Sequence, residues 1–152
     1  NWHHYVLTFQ ANTYALYIDG SAVSISFLVL GGGSVPTLHS QNVSFHLGRN
    51  ATFYSDGLMD EVALWTATLD SANVTAIYNS GVPASLSSDS GNYNQSSNLS
   101  HWWRIGDDSA DTSSGGGAAA SGNVIDNVEN VANSGTNDGT GSGALYSSTV
   151  PS

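Results

Sequence analysis

Residues 56–81 read DGLMDEVALWTATLDSANVTAIYNSG. The periodicity changes in the middle of this stretch. Residues 58–65 carry Leu, Met, Val, Ala and Trp in a run that reads as a buried strand, broken only by Asp60 and Glu61. Side chains alternate between the two faces of a strand, so these acids are expected to point apart. Residues 69–81 read instead as a short helix. Asp70 is a good N-cap, Leu69 and Val74 can form a hydrophobic staple, and Val74, Ile77 and Tyr78 form an apolar stripe. Gly81 is the expected C-cap. The N-cap contributes about 1 kcal/mol, whereas burying three large side chains contributes about 1.5–3 kcal/mol each. Packing therefore outweighs capping, and the helix should lie flat on a sheet. Whether Asp60 and Glu61 do chemistry or hold the fold is the question this stretch poses.

Upstream, the chain reads as strands and turns. Tyr5, Leu7 and Phe9 alternate with Val6 and Thr8, and Tyr14, Leu16 and Ile18 share one face. The QANT segment between them suggests a hairpin, and Asp19-Gly20 marks a second turn because glycine accepts positive φ. A strand is expected over 21–30, ending at three consecutive glycines, and another over 43–48 before a polar loop. Short strands separated by glycine turns indicate a sandwich.

Composition narrows the function classes. The 152 residues are 39% hydrophobic and 9% charged, which suits one globular domain. Two arginines and no lysine face twelve carboxylates, a formal charge of -10 that repels phosphate backbones and anionic lipid. No nucleic-acid partner and no membrane insertion are expected, since the longest apolar run, near residues 25–30, is far too short to span a bilayer. There is no cysteine, hence no disulfide framework and no thiolate metal site. The chain opens at Asn1 and has its one methionine at Met59, so the natural polypeptide is expected to extend upstream or to be processed.

The segments WHHYVLTF, LYIDG, FHLGRN, DGLMDEVALW and TLDSANVTAIY occur in that order over residues 2–78. Their order and spacing resemble the laminin-G-like, concanavalin A-like jelly-roll family, in which a Trp-His-His strand, a Tyr-Ile-Asp-Gly turn and an Asp-Glu-Val strand precede a short helix. The resemblance implies an all-β fold, an antiparallel jelly-roll sandwich of two sheets, with Trp2, His4, Asp60, Glu61, Trp65 and Asp70 as its structural motif residues. In that family the Trp-His-His strand falls near the middle of the fold. Residues 1–82 therefore correspond to the second half of a jelly roll, and half a sandwich exposes an apolar face that a soluble monomer rarely tolerates. The Ser/Asn-rich residues 83–100 and the GGGAAA segment read as mobile linkers. Residues 101–152, containing HWWRIGDD and NVIDNVENV, resemble the family's opening, as a strand-donating segment or the start of a repeat. The missing cover is expected either from this tail or from other polypeptide added at an open sheet edge.

Chemistry at the acid pair is not expected. Glycoside hydrolysis needs two carboxylates on one cleft wall, and glucanases of this broad fold carry Glu-x-Asp-x-x-Glu so that their acids share a face; no such triplet occurs here. One carboxylate is expected to accept hydrogen bonds from nearby backbone or from the Trp2-His3-His4 strand, the other to be solvated. Adjacent His3 and His4 face apart on a strand and cannot chelate one ion together. No Gly-x-Ser-x-Gly, His-Glu-x-x-His or phosphate-loop motif is present, so no catalytic residue is assigned. The expectation is no cofactor, or calcium held by oxygen ligands from Asp107, Asp108, Asp111 and, separately, Asp56. Candidate aromatic platforms for a glycan are Trp102, Trp103 and Tyr54, with one of the two tryptophans pointing inward on a strand. Five Asn-x-Ser/Thr sequons, at Asn42, Asn50, Asn73, Asn94 and Asn98, are acceptors wherever a secretory pathway modifies them.

Two functions follow. The first is a non-enzymatic structural or assembly module of a virion or extracellular fibre, partnered by other subunits; the pairing of Asp-Glu-Val with a WWRIGD-type tail in a lysine-free chain resembles virion structural proteins of marine bacteriophages. The alternative is a carbohydrate-binding adhesion module acting on cell-surface glycan, with or without calcium. If the tail supplies a strand, deleting residues 123–152 should reduce particle size and thermal stability, measured by light scattering and melting; unchanged values would exclude that role.

Overall fold

Alternating apolar side chains carry the chain into β1 (Tyr5–Gln10) and β2 (Thr13–Ile18), which pair antiparallel with Tyr5 opposite Ile18, Leu7 opposite Leu16 and Phe9 opposite Tyr14. The computed structural model describes residues 1–11, 13–26, 47, 49–50, 53–54, 57–105, 123–124 and 139–140. Ala11, at φ 47°, opens the two-residue connection between the strands, matching the right-handed twist that favours such turns. The Phe9 and Tyr14 rings close that end of the hairpin, 4.6 Å apart. At the other end Asp19 (φ 50°) and Gly20 (φ 75°) reverse the chain into β3 (Ser21–Val23), which pairs antiparallel with β2. The strand expected over 21–30 thus ends at Val23, with residues 24–26 irregular and 27–30 outside the described residues.

Two residues each form β4 (Arg49–Asn50) and β5 (Phe53–Tyr54), an antiparallel pair. β6 (Val62–Trp65) follows, then α1 (Ser71–Tyr78), a 3-10 turn at Asn79–Gly81 and another at Ser96–Asn98. β7 (Leu99–Trp103) folds back onto β6, placing Val62 opposite Trp103 and Ala63 opposite Trp102, with a register shift between Leu64 and Trp65. β8 (Asn123–Val124) and β9 (Gly139–Thr140) pair with each other. Among the described residues every paired strand is antiparallel and there is one short α-helix: the fold class is all-β.

The helix forms as its caps dictate. Asp70 Oδ1 accepts from the Asn73 amide at 2.8 Å, and Leu69 and Val74 are both buried, Val74 completely. The stop differs from the expected Gly81. Asn79 ends the helix in the left-handed region at φ 44°, its amide donating to the Thr75 carbonyl. Asparagine tolerates that region, so the helix closes two residues early.

The Ser/Asn-rich stretch 83–100 is not the linker its composition implied. Leu86 and Tyr93 from this stretch join Trp102 in the buried core, against which Ala63, Trp65, Ala76, Ile77 and Leu99 pack. Its polar residues knit it internally: Asp89 Oδ1 accepts from both the amide and the hydroxyl of Ser96, and the Tyr93 hydroxyl donates to the Leu86 carbonyl while accepting from Trp65 Nε1. Low-complexity composition misled because two apolar anchors suffice to pin a loop whose polar groups satisfy one another.

The helix comes closest to the first sheet's turn at Gly20, whose carbonyl accepts from the Thr75 hydroxyl. A methyl group added at Gly20 would sit 2.9 Å from Tyr78 Cδ1, and the residue holds a positive φ; Gly91 (φ 57°) has open space around it. Gly91→Ala should lose about 1–2 kcal/mol for the left-handed backbone alone, and Gly20→Ala about 1–3 kcal/mol more for overpacking. Denaturant unfolding of the two variants reads the difference, and equal losses would remove the packing role of Gly20.

Candidate functional site

Two polar knots and one open cleft make up the notable features of the described structure. The first knot fastens the entry to β1. Asp19, turned outward by its positive φ, accepts from His3 Nδ1 at 2.8 Å and from the His4 amide at 2.9 Å, while its own amide donates to the His4 carbonyl. The His4 ring stacks on Tyr78, centroids 5.9 Å apart, and its Nδ1 is buried with no hydrogen-bond partner among the described residues. Burial pushes the His4 imidazole below its ordinary pKa, with the nearby Asp19 charge opposing that shift. The hydrogen bond from His3, and then that from the His4 amide, holds the Asp19 carboxyl below the usual range. This arrangement keeps His4 neutral and packed, as a structural motif residue.

The second knot is the acid pair. β6 begins only at Val62 because Glu61 takes φ 51°, so the pair does not sit on a strand as expected. A positive φ at a branched-chain-free but non-glycine residue costs about 1–3 kcal/mol and persists only when its surroundings hold it. The surroundings do so here. Glu61 Oε2 accepts from Trp102 Nε1 at 2.6 Å and Oε1 from Arg104 Nε at 3.1 Å, while the Glu61 amide donates to Asp60 Oδ1 at 2.9 Å. The Arg104 guanidinium also lies 5.3 Å from the centre of the Trp102 ring. The Glu61 side chain is thus held by β7 and the residue that follows it, Asp60 accepts from the adjacent backbone, and both acids are part-buried. A carboxylate held by an indole and an arginine is a clamp between strands.

The open cleft lies beside β1. It measures ≈1190 Å³ and is lined by β1, by residues 58–69 and by the end of the helix with the chain that follows it. Large apolar side chains stand in solvent along it: Tyr5 is 65% exposed and Leu7 64%, with Leu58, Met59, Leu64 and Val82 also exposed. On β1 the buried position is instead Thr8.

Other sequence-derived candidates fall as follows. Trp102 and Trp103 are both buried, at 7% and 8% exposure, rather than one in and one out: Trp102 enters the core with Leu86 and Tyr93, and Trp103, on the opposite face of β7, is covered and stacks on His101 at 5.3 Å. Neither ring offers a free face to a sugar. Tyr54 lies on β5. Asp56, Asp107, Asp108 and Asp111 lie outside the described residues, and among the described residues no three His, Asp or Glu side chains are grouped to hold a metal ion. Trp65 packs on the core and donates to Tyr93. Asp70 caps the helix, and the Asn73 amide and side chain hold its carboxyl below the usual range.

One residue that sequence reasoning treated only as a sequon proves structural. Asn73, 2% exposed, donates from its side chain to Asp70 Oδ1 and accepts from the Asn94 amide at 3.0 Å, joining helix to loop. Its place three residues after an N-cap was the available signal.

Residues 1–75 match a laminin-G-type family model described as the concanavalin A-like lectin/glucanases superfamily. The match covers 75 of the chain's 152 residues. No curated protein and no solved structure is similar enough to match. The matched stretch contains Trp2, His4, Asp60, Glu61, Trp65 and Asp70, whereas β7, which pairs with β6, lies beyond it.

The first knot gives this matched stretch a pH signature. An unfolded imidazole titrates near about pH 6.5, and folded His4 titrates lower, so below that pH the unfolded chain binds more protons and stability falls. Asp19, depressed in the fold, contributes stability that persists to more acid pH and is lost as its carboxylate protonates. Thermal melts should therefore show an early loss below about pH 6.5 and a later one in the carboxylate range, about pH 4 and below. His4→Phe, which keeps the stack on Tyr78, should remove the early loss and leave the late one. Persistence of the early loss in that variant would assign it to another group.

Proposed function

We propose that this chain is a non-enzymatic structural module of lectin-like fold, working in a virion or extracellular fibre by packing against other subunits. The supporting observation is the apolar wall of the cleft, where Tyr5 and Leu7 of β1 expose about two thirds of their surface. Water-exposed apolar side chains in a contiguous wall are a standing cost that contact with a partner removes, at about 25 cal/mol per Å² of apolar surface buried. The non-enzymatic half of the reading rests on the acid pair. Glu61 is committed to Trp102 and Arg104, and Asp60 accepts from the Glu61 amide. Both carboxylates line the cleft, but Glu61 is held by Trp102 and Arg104, which supports a structural role for it over substrate attack.

A carbohydrate-binding adhesion module is the competing reading. Stacking on Trp102 or Trp103 does not support it, since both rings are buried.

The test uses the native assembly. Leu7→Asp should cut incorporation into particles by about 10–100-fold, the equivalent of failing to bury one leucine, while the purified chain keeps its circular dichroism. Incorporation at the wild-type level would overturn the assembly reading. The same particles on a glycan array, with calcium and then with a chelator, should bind no glycan specifically; specific binding would replace assembly by adhesion.

A further inference from the structure

The turn that carries the first knot is also a reactive sequence. In Asp19-Gly20 the glycine amide has no side chain shielding it, so its nitrogen can attack the neighbouring carboxyl. The Gly20 N–H bond breaks and a bond forms from that nitrogen to Asp19 Cγ. The carboxyl hydroxyl leaves with the proton as water, closing a five-membered succinimide. A second water opens the ring at either carbonyl, returning aspartate or leaving a β-linked isoaspartate. Nothing is oxidised or reduced, and water is the sole co-reactant.

The folded chain opposes ring closure in two ways. The first is the turn type. Asp19 (φ 50°) and Gly20 (φ 75°) both hold positive φ between the paired residues Ile18 and Ser21, which makes this a type I′ turn. The first residue of such a turn has ψ at about +30°, whereas a type II′ turn has it at about −120°. Ring closure needs the latter value, because Cβ and the next nitrogen must lie on the same side of the Cα–C bond. The second is the carboxyl itself. Its Oδ2 accepts from His3 Nδ1 at 2.8 Å and its Oδ1 from the His4 amide at 2.9 Å. Both bonds favour the charged carboxylate, and the uncharged acid is the form whose hydroxyl leaves. At 35% exposure the Asp19 side chain is open to water, so the folded state withholds geometry rather than the co-reactant.

We propose that Asp19-Gly20 is a spontaneous isomerisation site that the fold holds shut through its type I′ turn and the hydrogen bonds from His3 and the His4 amide. The chain reacts there while unfolded, and the product does not rebuild the knot. An isoaspartate adds one methylene to the main chain inside a two-residue turn, which disturbs the register of β2 against β3. Its free carboxylate sits directly on Cα, one carbon short of the reach that meets His3 and the His4 amide. The Gly20 carbonyl, which accepts from the Thr75 hydroxyl at 3.3 Å, moves with the lengthened turn.

The test keeps the purified full chain in warm, mildly acidic buffer, folded in one sample and unfolded by guanidinium chloride in the other. Chymotryptic peptides containing Asp19 are resolved by liquid chromatography and mass spectrometry. Isoaspartate is recognised by its unchanged mass and its resistance to an endoprotease that cleaves before aspartate. Asp56-Gly57 and Asp138-Gly139 in the same digests report the chain's other Asp-Gly pairs. Conversion at Asp19 should be at least about tenfold slower in the folded sample, because only locally opened chains react. His3→Ala, once shown to melt cooperatively, should raise the folded rate at Asp19 by at least about threefold, the effect of one lost hydrogen bond, and leave the other two pairs at their wild-type rates. Equal conversion at Asp19 in the two samples would overturn the proposal, as would an unchanged folded rate in His3→Ala. If that variant does not fold, the comparison of the two wild-type samples decides alone. Chains isomerised at Asp19 and then refolded should melt at a lower temperature than unmodified chains refolded in the same way; identical melting would show that the knot survives the modification.

Discussion

Much of the described structure hangs on one carboxylate. Glu61 leaves strand geometry at φ 51°, and from that position its two oxygens take the Trp102 indole and the Arg104 guanidinium. Those bonds fix the start of β6 against the end of β7. With β7 in register, Trp102 drops into the core beside Leu86 and Tyr93, and Tyr93 in turn receives the Trp65 indole. Ile77 of the helix packs against that same core. Hydrogen bonds to a charged acceptor contribute about 1.5–3 kcal/mol each, enough to offset the unfavourable backbone that makes them reachable. The strained residue and the ordered strand pair are one device.

What could be read in the sequence was what depends on neighbours along the chain. The hairpin at 10–13, the turn at Asp19-Gly20 and the Asp70 cap all follow from local backbone chemistry, and each appears where its residues put it. The acid pair reads as structural in the sequence, and Asp60 does accept from nearby backbone, but the Glu61 side chain meets Trp102 and Arg104. Glu61 and Trp102 are 41 residues apart, and no local pattern records which long-range indole a carboxylate will meet. The early end of the helix at Asn79 and the ordered loop 83–100 escaped for related reasons. In the first, Asn79, Ser80 and Gly81 all take positive φ and the first of them already ends the helix; in the second, a Ser/Asn-rich composition hides Leu86 and Tyr93, which pack with Trp102 of β7.

The candidate site was legible in kind but not in place. Half a sandwich predicts an exposed apolar surface, and one exists along β1. Which residues form it depends on register, since moving one position exchanges every inward for every outward side chain. The pairing of Leu7 with Leu16 and of Tyr5 with Ile18 puts those side chains on one face of the hairpin, and Thr8 on the other. The aromatic pair Trp102-Trp103 shows the reverse case. A strand exposes one face only if nothing covers it, and here the core takes one ring while His101 lies against the other.

Asn73 carries a consequence for how the chain can be made. Its side chain spans the Asp70 carboxylate and the Asn94 amide in a site 2% open to solvent, within the triplet Asn73-Val74-Thr75. Oligosaccharide transfer in a secretory compartment acts on an unfolded chain, and a sugar attached there would occupy the atom that donates to Asp70 and sterically hold the 83–100 loop off the helix. Folding and glycosylation compete for one nitrogen. A eukaryotic secretory host would trap part of the chain as a modified, misassembled product, whereas synthesis in a compartment without the transferase leaves the helix free to dock.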